Sequence, residues 1–148
     1  MRPIDTLILH CSATQPDMDV GVAEIDVWHK ARGWNGIGYH FVIRRNGTVE
    51  HGRPVEEIGA HAVGFNKTSL GICLVGGVRR VGTRLVADNN FTPAQWTALR
   101  ALVIDLLEQY PDARVIGHRD VQRHKECPSF DVLAWLIRER IADADPSP

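Results

Sequence analysis

The segment LGICLV (residues 70–75) decides the fold of this chain, because it is a continuous apolar run with no polar residue in it. A strand with one solvated face alternates polar and apolar residues, whereas a short run without alternation predicts a strand buried on both faces. Two glycines, Gly76 and Gly77, follow the run and end it. The chain is therefore expected to fold around this strand, with covered layers on both sides.

Further strand candidates lie on either side of this segment in the sequence. TLIL (residues 6–9) is a second short apolar run, and it ends at His10. YHFVI (residues 39–43) is aromatic and β-branched, and Asn46-Gly47 between it and residues 48–50 is a strong hairpin signal. Residues 114–116 are the last strand candidate, and residues 78–90 are expected to form a surface excursion.

Helical periodicity marks three segments. Residues 22–32 carry apolar residues at helical spacing, and Gly33 follows as a stop. TPAQ (residues 92–95) is a helix start, because its threonine can cap, its proline takes the first helical position and its glutamine completes a capping box. Residues 132–141 are the third helix. The side chains expected to face the core are Ile25, Trp28 and Ala31, then Leu99, Leu102, Val103, Leu106 and Leu107, and finally Leu133, Trp135, Leu136 and Ile137.

Strands and helices alternate along the chain, with one hairpin among them. This order predicts an α/β fold with a central mixed β-sheet flanked by helices. A length of 148 residues corresponds to about one domain. Residues 1–141 are expected to form that domain, and residues 142–148 a flexible C-terminal tail.

Bulk composition excludes several classes of function. The net charge of −1 gives no basic surplus for binding phosphates, so nucleic acid is not favoured as a partner. No apolar run approaches the roughly 20 residues of a membrane helix. Asp5 and His10 interrupt the N-terminal apolar run, so we do not expect it to be a signal peptide. Three cysteines without a CxxC pair argue against a disulfide framework and for a reducing compartment.

Metal-binding residue types are concentrated in GHRDVQRHKECPSFD (residues 117–131). His118 and Cys127 lie nine positions apart, too far for one helical face, so a loop has to bring them together. Pro128 favours an extended backbone at Cys127. His10, at the end of a buried strand, is a candidate third ligand. Two imidazoles and one thiolate leave one position of a zinc ion open, which is typical of catalytic sites.

Spacing alone leaves a structural interpretation open. His118 can be a surface histidine, and Cys127 can be a small core residue. The His-x8-Cys pattern is too weak to choose between these interpretations.

The joint pattern of several segments is far more specific. LILHCSAT, WHKARGWNGIGYHFVIRRNGTVEHGR, GAHAVGFNKTSLGICLVGG, FTPAQ and KECPSFD follow one another in this order. In them the chain resembles the zinc-dependent N-acetylmuramoyl-L-alanine amidases, whose fold is shared by phage amidase-type lysozymes and peptidoglycan recognition proteins. The likeness covers nearly the whole chain. It implies hydrolysis of the amide bond between N-acetylmuramic acid and L-alanine in peptidoglycan, as in an endolysin that lyses the cell wall.

The resemblance also implies a cofactor and a set of site residues. Zn²⁺ would be bound by His10, His118 and Cys127. Tyr39 and Lys125 would complete the catalytic site, Lys125 by stabilising the tetrahedral intermediate and Tyr39 by orienting the attacking water or stabilising the same intermediate.

Further roles concern the cleft and its neighbours. By the same resemblance, His61 and Asn66 would be substrate-binding residues that line the cleft for the stem peptide. Alternation along their strand is expected to place Tyr39 and His40 on opposite faces, which makes His40 a structural residue.

Alternatives remain open. The loop from His118 to Cys127 is one residue longer than expected for close phage relatives, and it contains His124 as a competing ligand. The protein could instead recognise peptidoglycan without cutting it, or be a zinc-stabilised domain with His124 as a fourth ligand. Some phage relatives use a longer N-terminal arm to bind RNA polymerase, and the short N-terminus here argues against that partner. We expect a monomer that accumulates in the host cytoplasm before lysis and then acts on the cell wall.

Overall fold

A computed structural model describes residues 2–144 of the chain. The strands are β1 (Thr6–Cys11), β2 (Phe41–Ile43), β3 (Val49–His51), β4 (Ser69–Leu74), β5 (Val78–Val81), β6 (Arg84–Ala87) and β7 (Arg114–Gly117). The α-helices are α1 (Val22–Ala31), α2 (Pro93–Gln109) and α3 (Val132–Glu139), and short 3-10 turns cover Asn66–Thr68 and His118–Asp120. Among the described residues, no helix has the length and apolar character needed to cross a membrane.

Five strands form one mixed sheet in the order β3-β2-β4-β1-β7. β1 runs parallel to β4 and β7, β2 runs parallel to β4, and β3 is antiparallel to β2. β4 lies in the middle and every one of its residues is buried, as the uninterrupted apolar run predicts. The hairpin at Asn46-Gly47 is also confirmed, with Ile43 opposite Val49. The chain is therefore an α/β protein with a mixed central sheet.

Helices α2 and α3 cover one face of this sheet. Leu7, Leu9 and Cys11 of β1 lie in the same apolar cluster as Leu99 of α2. Because side chains alternate along a strand, His10 points to the opposite face. The His10 imidazole therefore lies on the face of the sheet that α2 and α3 do not cover.

The opposite face carries a smaller apolar cluster. Ile25 of α1, Val42 of β2 and Cys73 of β4 belong to it, and Tyr39 packs against it. Cys73 pairs with His10 across the parallel β1–β4 ladder, so both side chains are on this face. The face of the sheet beside α1 therefore carries His10 and Cys73, with Tyr39 packed nearby.

Residues 78–90 lie at the surface, as predicted, because most residues of β5 and β6 are exposed. The sequence did not predict that β5 and β6 pair antiparallel as a separate two-stranded sheet. Val78 lies opposite Ala87, and Arg80 lies opposite Leu85. Residues of this hairpin line the site described below.

Some predicted core side chains are exposed. Leu133 and Ile137 of α3 are 61% and 70% exposed, and Trp28 of α1 is 39% exposed. Trp135 and Leu136 are buried as predicted. A short surface helix buries only one stripe, so apolar residues outside that stripe stay in solvent.

The predicted boundary at residue 141 falls just after α3. Ala144 donates a backbone hydrogen bond to the Ala113 carbonyl over 3.0 Å, and Val115 donates one to the Asp143 carboxylate over 2.5 Å. The described part of the predicted tail is therefore bonded beside β7. Residues 145–148 of that tail lie outside the described residues.

Candidate metal and active site

Two strand ends and one loop bring the predicted metal ligands together. His10 lies near the end of β1 and is 1% exposed. β7 is the parallel neighbour of β1, and His118 follows β7 directly. The two rings consequently lie with their centroids 4.6 Å apart. Cys127 approaches from the loop before α3, and its Sγ lies 3.8 Å from Nδ1 of His10.

These three residues form a group that fits a metal ion. One ligand atom from each of His10, His118 and Cys127 lies within 4.8 Å of the others. Zinc bonds of about 2.3 Å to sulfur and about 2.0–2.1 Å to nitrogen, at a tetrahedral angle, place the two donor atoms about 3.6 Å apart. The observed separation of Sγ and Nδ1 is close to that value. The donor set of two imidazoles and one thiol is also one that zinc prefers.

The surroundings of Cys127 act on its thiol in opposite directions. The side-chain hydrogen bond with Cys11 and then burial raise the pKa of Cys127 well above its usual range, whereas one backbone contact favours the thiolate. The backbone N–H of Cys11 donates to Sγ of Cys127 over 3.1 Å. A hydrogen bond from an N–H group stabilises the charged form of its acceptor. The Arg119 N–H also donates to the Cys127 carbonyl over 2.8 Å, which ties the loop to the turn that carries His118.

Both histidines can offer a nitrogen lone pair to a metal ion, His118 through Nδ1 and His10 as a neutral imidazole. Nε2 of His118 contacts Oε1 of Gln122, and this contact leaves Nδ1 as the nitrogen with an available lone pair. Burial, and then the neighbouring His61 and His118, hold the pKa of His10 well below its usual range. His10 is therefore a neutral imidazole, which is the form that binds metals.

His124, the competing ligand in the sequence, is not part of the group. Among the described residues the metal-binding group has three members, and His124 is exposed on the rim of the groove. The geometry thus brings His118, rather than His124, to His10 and Cys127.

The group opens into a groove of about 760 Å³. Residues from α1, from the loop after β3, from the β5–β6 hairpin and from the loop before α3 line it. They include Trp34, Tyr39, Ala62, Leu85, Lys125 and Ser129. A second cavity of about 750 Å³ lies between α2 and strands β2 and β3, and it contains none of the predicted site residues.

Tyr39 and Lys125 both line the groove. The ring centroid of Tyr39 lies 5.0 Å from that of His10, and burial raises the pKa of its phenol well above the usual range. The phenol is therefore a hydrogen-bond donor at neutral pH. Lys125 is exposed, and its ammonium contributes to lowering the pKa of His118, after the larger effect of burial.

His40 does not lie on the opposite face from Tyr39. β2 begins only at Phe41, so strand alternation does not extend to these two residues. The centroid of the His40 ring lies 5.7 Å from that of the His61 ring. The His61 ring packs against His10, which Tyr39 also contacts. His40 Nδ1 accepts from the Gly71 N–H over 3.0 Å, which supports the structural role predicted for it.

His61 and Asn66 line the groove, but their described hydrogen bonds are internal. Oδ1 of Asn66 accepts from the N–H groups of His61 and Ala62, each over 2.9 Å. Nδ1 of His61 lies 2.8 Å from Nε2 of His10, and Nε2 of His61 lies 3.2 Å from Oγ of Ser69. Their role as substrate ligands stays a prediction.

Sequence reasoning assigned no chemical role to His29. Its Nδ1 accepts from the Gly38 N–H over 2.8 Å, and its ring packs edge-on against Trp34 at 4.6 Å. Burial lowers its pKa to about 4, so the ring is neutral. It lines the groove beside Tyr39. Only its position next to the glycine- and tryptophan-containing segment after α1 could have indicated this.

Comparison with known proteins gives a consistent result. The sequence profile of the N-acetylmuramoyl-L-alanine amidase family matches residues 1–130. The chain is 49% identical over 139 residues to the endolysin of Klebsiella phage KP32, covering 94% of this chain and 89% of that one. It is 47% identical over 141 residues to the endolysin of Escherichia phage T7, covering 95% and 91%.

Solved structures extend the likeness to the fold. The amidase LysC from Clostridium intestinale superposes with a TM-score of 0.78 at 32% identity, covering 95% of this chain and 88% of that one. Drosophila PGRP-LB superposes with a TM-score of 0.74 at 28% identity, covering 92% and 81%. The chain belongs to the N-acetylmuramoyl-L-alanine amidase family and is an enzyme of this class.

Proposed function

We propose that this amidase is a zinc-dependent endolysin that hydrolyses the bond between N-acetylmuramic acid and L-alanine in peptidoglycan. The observation that carries the proposal is the group of His10, His118 and Cys127, whose ligand atoms lie within 4.8 Å of one another beside an open groove. When bound, zinc supplies an acidified water and a Lewis acid for the scissile carbonyl. The described residues offer three ligands in this group, which suits a catalytic site with one open position.

The remaining chemistry belongs to side chains of the groove. Amide hydrolysis builds negative charge on the carbonyl oxygen, and preorganised donors that face this charge lower the barrier. The Lys125 ammonium and the protonated Tyr39 phenol are two of the hydrogen-bond donors that line the groove. Because burial keeps the Tyr39 phenol protonated at neutral pH, its O–H group can donate a hydrogen bond to the oxyanion.

A groove of about 760 Å³ beside the metal group has room for part of a peptide substrate. Trp34 and His29, whose rings pack together, line this groove, and residues of the β5–β6 hairpin line it as well. Relatives named as endolysins and as peptidoglycan recognition proteins support peptidoglycan as the polymer that is bound.

A digestion of purified peptidoglycan tests the proposal. The protein is incubated with and without a zinc chelator, and the products are analysed by mass spectrometry. We expect free stem peptides that begin at L-alanine, lost on chelation and restored by added zinc. Cleavage that persists after complete metal removal would exclude the zinc mechanism, and wall binding without free stem peptides would leave a recognition module.

A further inference from the structure

We propose that His61 is a positioning residue that fixes the tautomer and ring orientation of His10 for metal binding. This inference rests on the proposed zinc site and assigns His61 a role different from that of a substrate ligand. The two ring nitrogens that face each other, Nε2 of His10 and Nδ1 of His61, lie 2.8 Å apart. This is a hydrogen bond, and only one of the two nitrogens carries its proton.

The position of the metal group decides which nitrogen carries that proton. Nδ1 of His10 faces Sγ of Cys127 at 3.8 Å, so Nδ1 is the nitrogen that offers its lone pair. The neutral ring of His10 therefore carries its proton on Nε2 and donates to Nδ1 of His61. His61 in turn carries its proton on Nε2 and donates to Oγ of Ser69 over 3.2 Å. The chain from His10 through His61 to Ser69 has one consistent set of donors and acceptors.

The packing around His61 holds its ring in this position. Gly71 of β4 leaves room for it, because a Cβ at that position would lie 2.7–2.9 Å from ring atoms of His61. Gly59 does the same from another side, with a Cβ 2.7 Å from Cδ2 of His61. Asn66 fixes the loop that carries the ring, as its Oδ1 accepts from the backbone of residues 61 and 62. The ring is 8% exposed.

Metal-bound histidines commonly donate their second ring N–H to a partner that orients the ring, and loss of that partner costs about 10–100-fold in metal affinity or activity. His61 occupies this position for His10. A substrate ligand needs a nitrogen that points into the groove, whereas both nitrogens of His61 are engaged with His10 and Ser69.

The test measures zinc affinity by competition with a chromogenic chelator, in the absence of substrate. We expect His61→Leu to weaken zinc binding by about 10–100-fold. His61→Asn keeps an acceptor near the position of Nδ1 and should restore most of the affinity. Ser69→Ala, which removes one neutral hydrogen bond, should weaken binding by about fivefold. His51→Leu, at an exposed position on β3, is the matched control and should bind zinc as the wild type does.

Two further measurements separate the possible outcomes. In the zinc-saturated enzyme, a positioning residue leaves KM for a muramoyl peptide unchanged, whereas a substrate ligand raises KM and leaves zinc affinity unchanged. The wild-type zinc protein should show the Nε2–H tautomer of His61 in two-bond ¹H–¹⁵N correlation spectra. Wild-type zinc affinity in His61→Leu, or the Nδ1–H tautomer, would overturn this inference alone, whereas a wild type that binds no zinc would overturn the proposed function as well. If His61→Leu does not fold, the zinc affinities of His61→Asn and Ser69→Ala, compared with the values expected above, test the proposal.

A second inference, which also rests on the proposed function, comes from a separate observation: the register of the β5–β6 hairpin points to Arg80 as a carboxylate-binding residue at the rim of the groove. Val78, Leu85 and Ala87 line the groove, and Arg80 lies directly opposite Leu85 across the hairpin. Residues opposite each other in an antiparallel pair project from the same face, so Arg80 leaves the backbone on the groove side. Arg79 is its neighbour and projects from the other face.

The charge of Arg80 is uncompensated in the described part of the chain. None of the ion pairs there involves Arg79, Arg80 or Arg84. Stem peptides of peptidoglycan carry free carboxylates, so a cation at the rim of the groove complements them. A guanidinium binds a carboxylate in a two-pronged arrangement and does so even when partly solvated.

A pair of variants tests this subsite with soluble muramoyl peptides whose stem carboxylates are either free or amidated. We expect Arg80→Gln to lower kcat/KM on the free-acid substrate by up to about fivefold, the upper end of the range for an exposed ion pair, and less at high salt. Arg80→Gln should leave kcat/KM on the amidated substrate unchanged. Arg79→Gln should leave kcat/KM unchanged on both substrates. Equal losses in the two variants, equal losses on the two substrates, or no loss in Arg80→Gln would overturn the assignment.

Discussion

Nδ1 of His10 and Sγ of Cys127 lie 3.8 Å apart, although 117 positions separate the two residues in the sequence. The parallel pairing of β1 and β7 makes this possible, because it brings the chain after β7 back beside the end of β1. The turn at His118 is tied to Cys127 through the Arg119 N–H. Two ligands therefore come from adjacent strand ends, and the third comes from the loop that follows.

Cys127→Ala is expected to lose zinc and amidase activity together. The substitution removes the thiolate and leaves two imidazoles, which bind zinc far more weakly than three ligands do. Metal content after dialysis and turnover of peptidoglycan measure the two losses. Full zinc occupancy with normal turnover would show that Cys127 is not a ligand.

His118→Ala and His124→Ala distinguish the two histidines of the longer loop. His118 belongs to the metal group, whereas His124 lies on the rim. We expect zinc loss and inactivity in His118→Ala, and wild-type zinc content in His124→Ala. The reverse result would assign the ligand to His124, and loss in both variants would indicate a four-ligand site without an open position.

Lys125→Ala should retain zinc but turn over slowly. Removing one preorganised partner of an oxyanion typically costs about 10²–10³ in kcat. Arg123→Ala is the matched control, because Arg123 is an exposed cation of the same loop. Steady-state kinetics at saturating substrate separate the two variants, and equal kcat values in Lys125→Ala and wild type would remove Lys125 from the mechanism.

The sequence allowed the sheet to be predicted because its signals are local. The run at residues 70–75 and the Asn46-Gly47 turn each specify their own strand or hairpin, and both predictions are confirmed. The β5–β6 hairpin was missed because Arg79, Arg80 and Arg84 interrupt its apolar residues and give it the composition of a solvated loop. Its pairing depends on a partner strand rather than on a periodic pattern.

The site could be predicted only in part for a related reason. The family resemblance indicated His10, His118 and Cys127, and the structure brings these residues together. The bond from His10 to His61 could not be predicted, because it depends on how the loop before Asn66 crosses β4 over Gly71. No spacing in the sequence encodes that crossing.

Stability should fall as the pH is lowered from about 6.5 to about 4. Burial lowers the pKa of His40 to about 4, whereas the unfolded residue titrates near 6.5. Between these values the unfolded chain binds a proton that the folded chain does not, so stability rises with pH in this window. The contribution of His40 is present above about 6.5 and is lost as the pH falls through the folded pKa. His29 and His61 act in the same direction.

Urea unfolding of the metal-free protein at pH 7.0, 5.5 and 4.5 measures this dependence without interference from metal release. His40→Asn keeps an acceptor for the Gly71 N–H and removes the titrating ring, so its stability should depend less steeply on pH. His51→Asn, at an exposed position, is the control and should keep the wild-type slope. A wild type that is equally stable at all three pH values would contradict the buried neutral state of these histidines.

Gln95→Ala should destabilise the fold by about 2–4 kcal/mol, because Gln95 links the start of α2 to the ends of two strands. Its side chain is fully buried, and its Nε2 donates to the carbonyls of Ile43 and Val75 over 3.1 and 2.8 Å. Its Oε1 accepts from the Thr92 N–H over 3.0 Å and completes the predicted capping box. Truncation leaves these buried groups without that partner and opens a cavity above the sheet. Gln109→Ala, at the exposed end of the same helix, should change the free energy of unfolding by about 0.5 kcal/mol or less. Equal urea midpoints for the two variants would show that the helix docks without the Gln95 bonds.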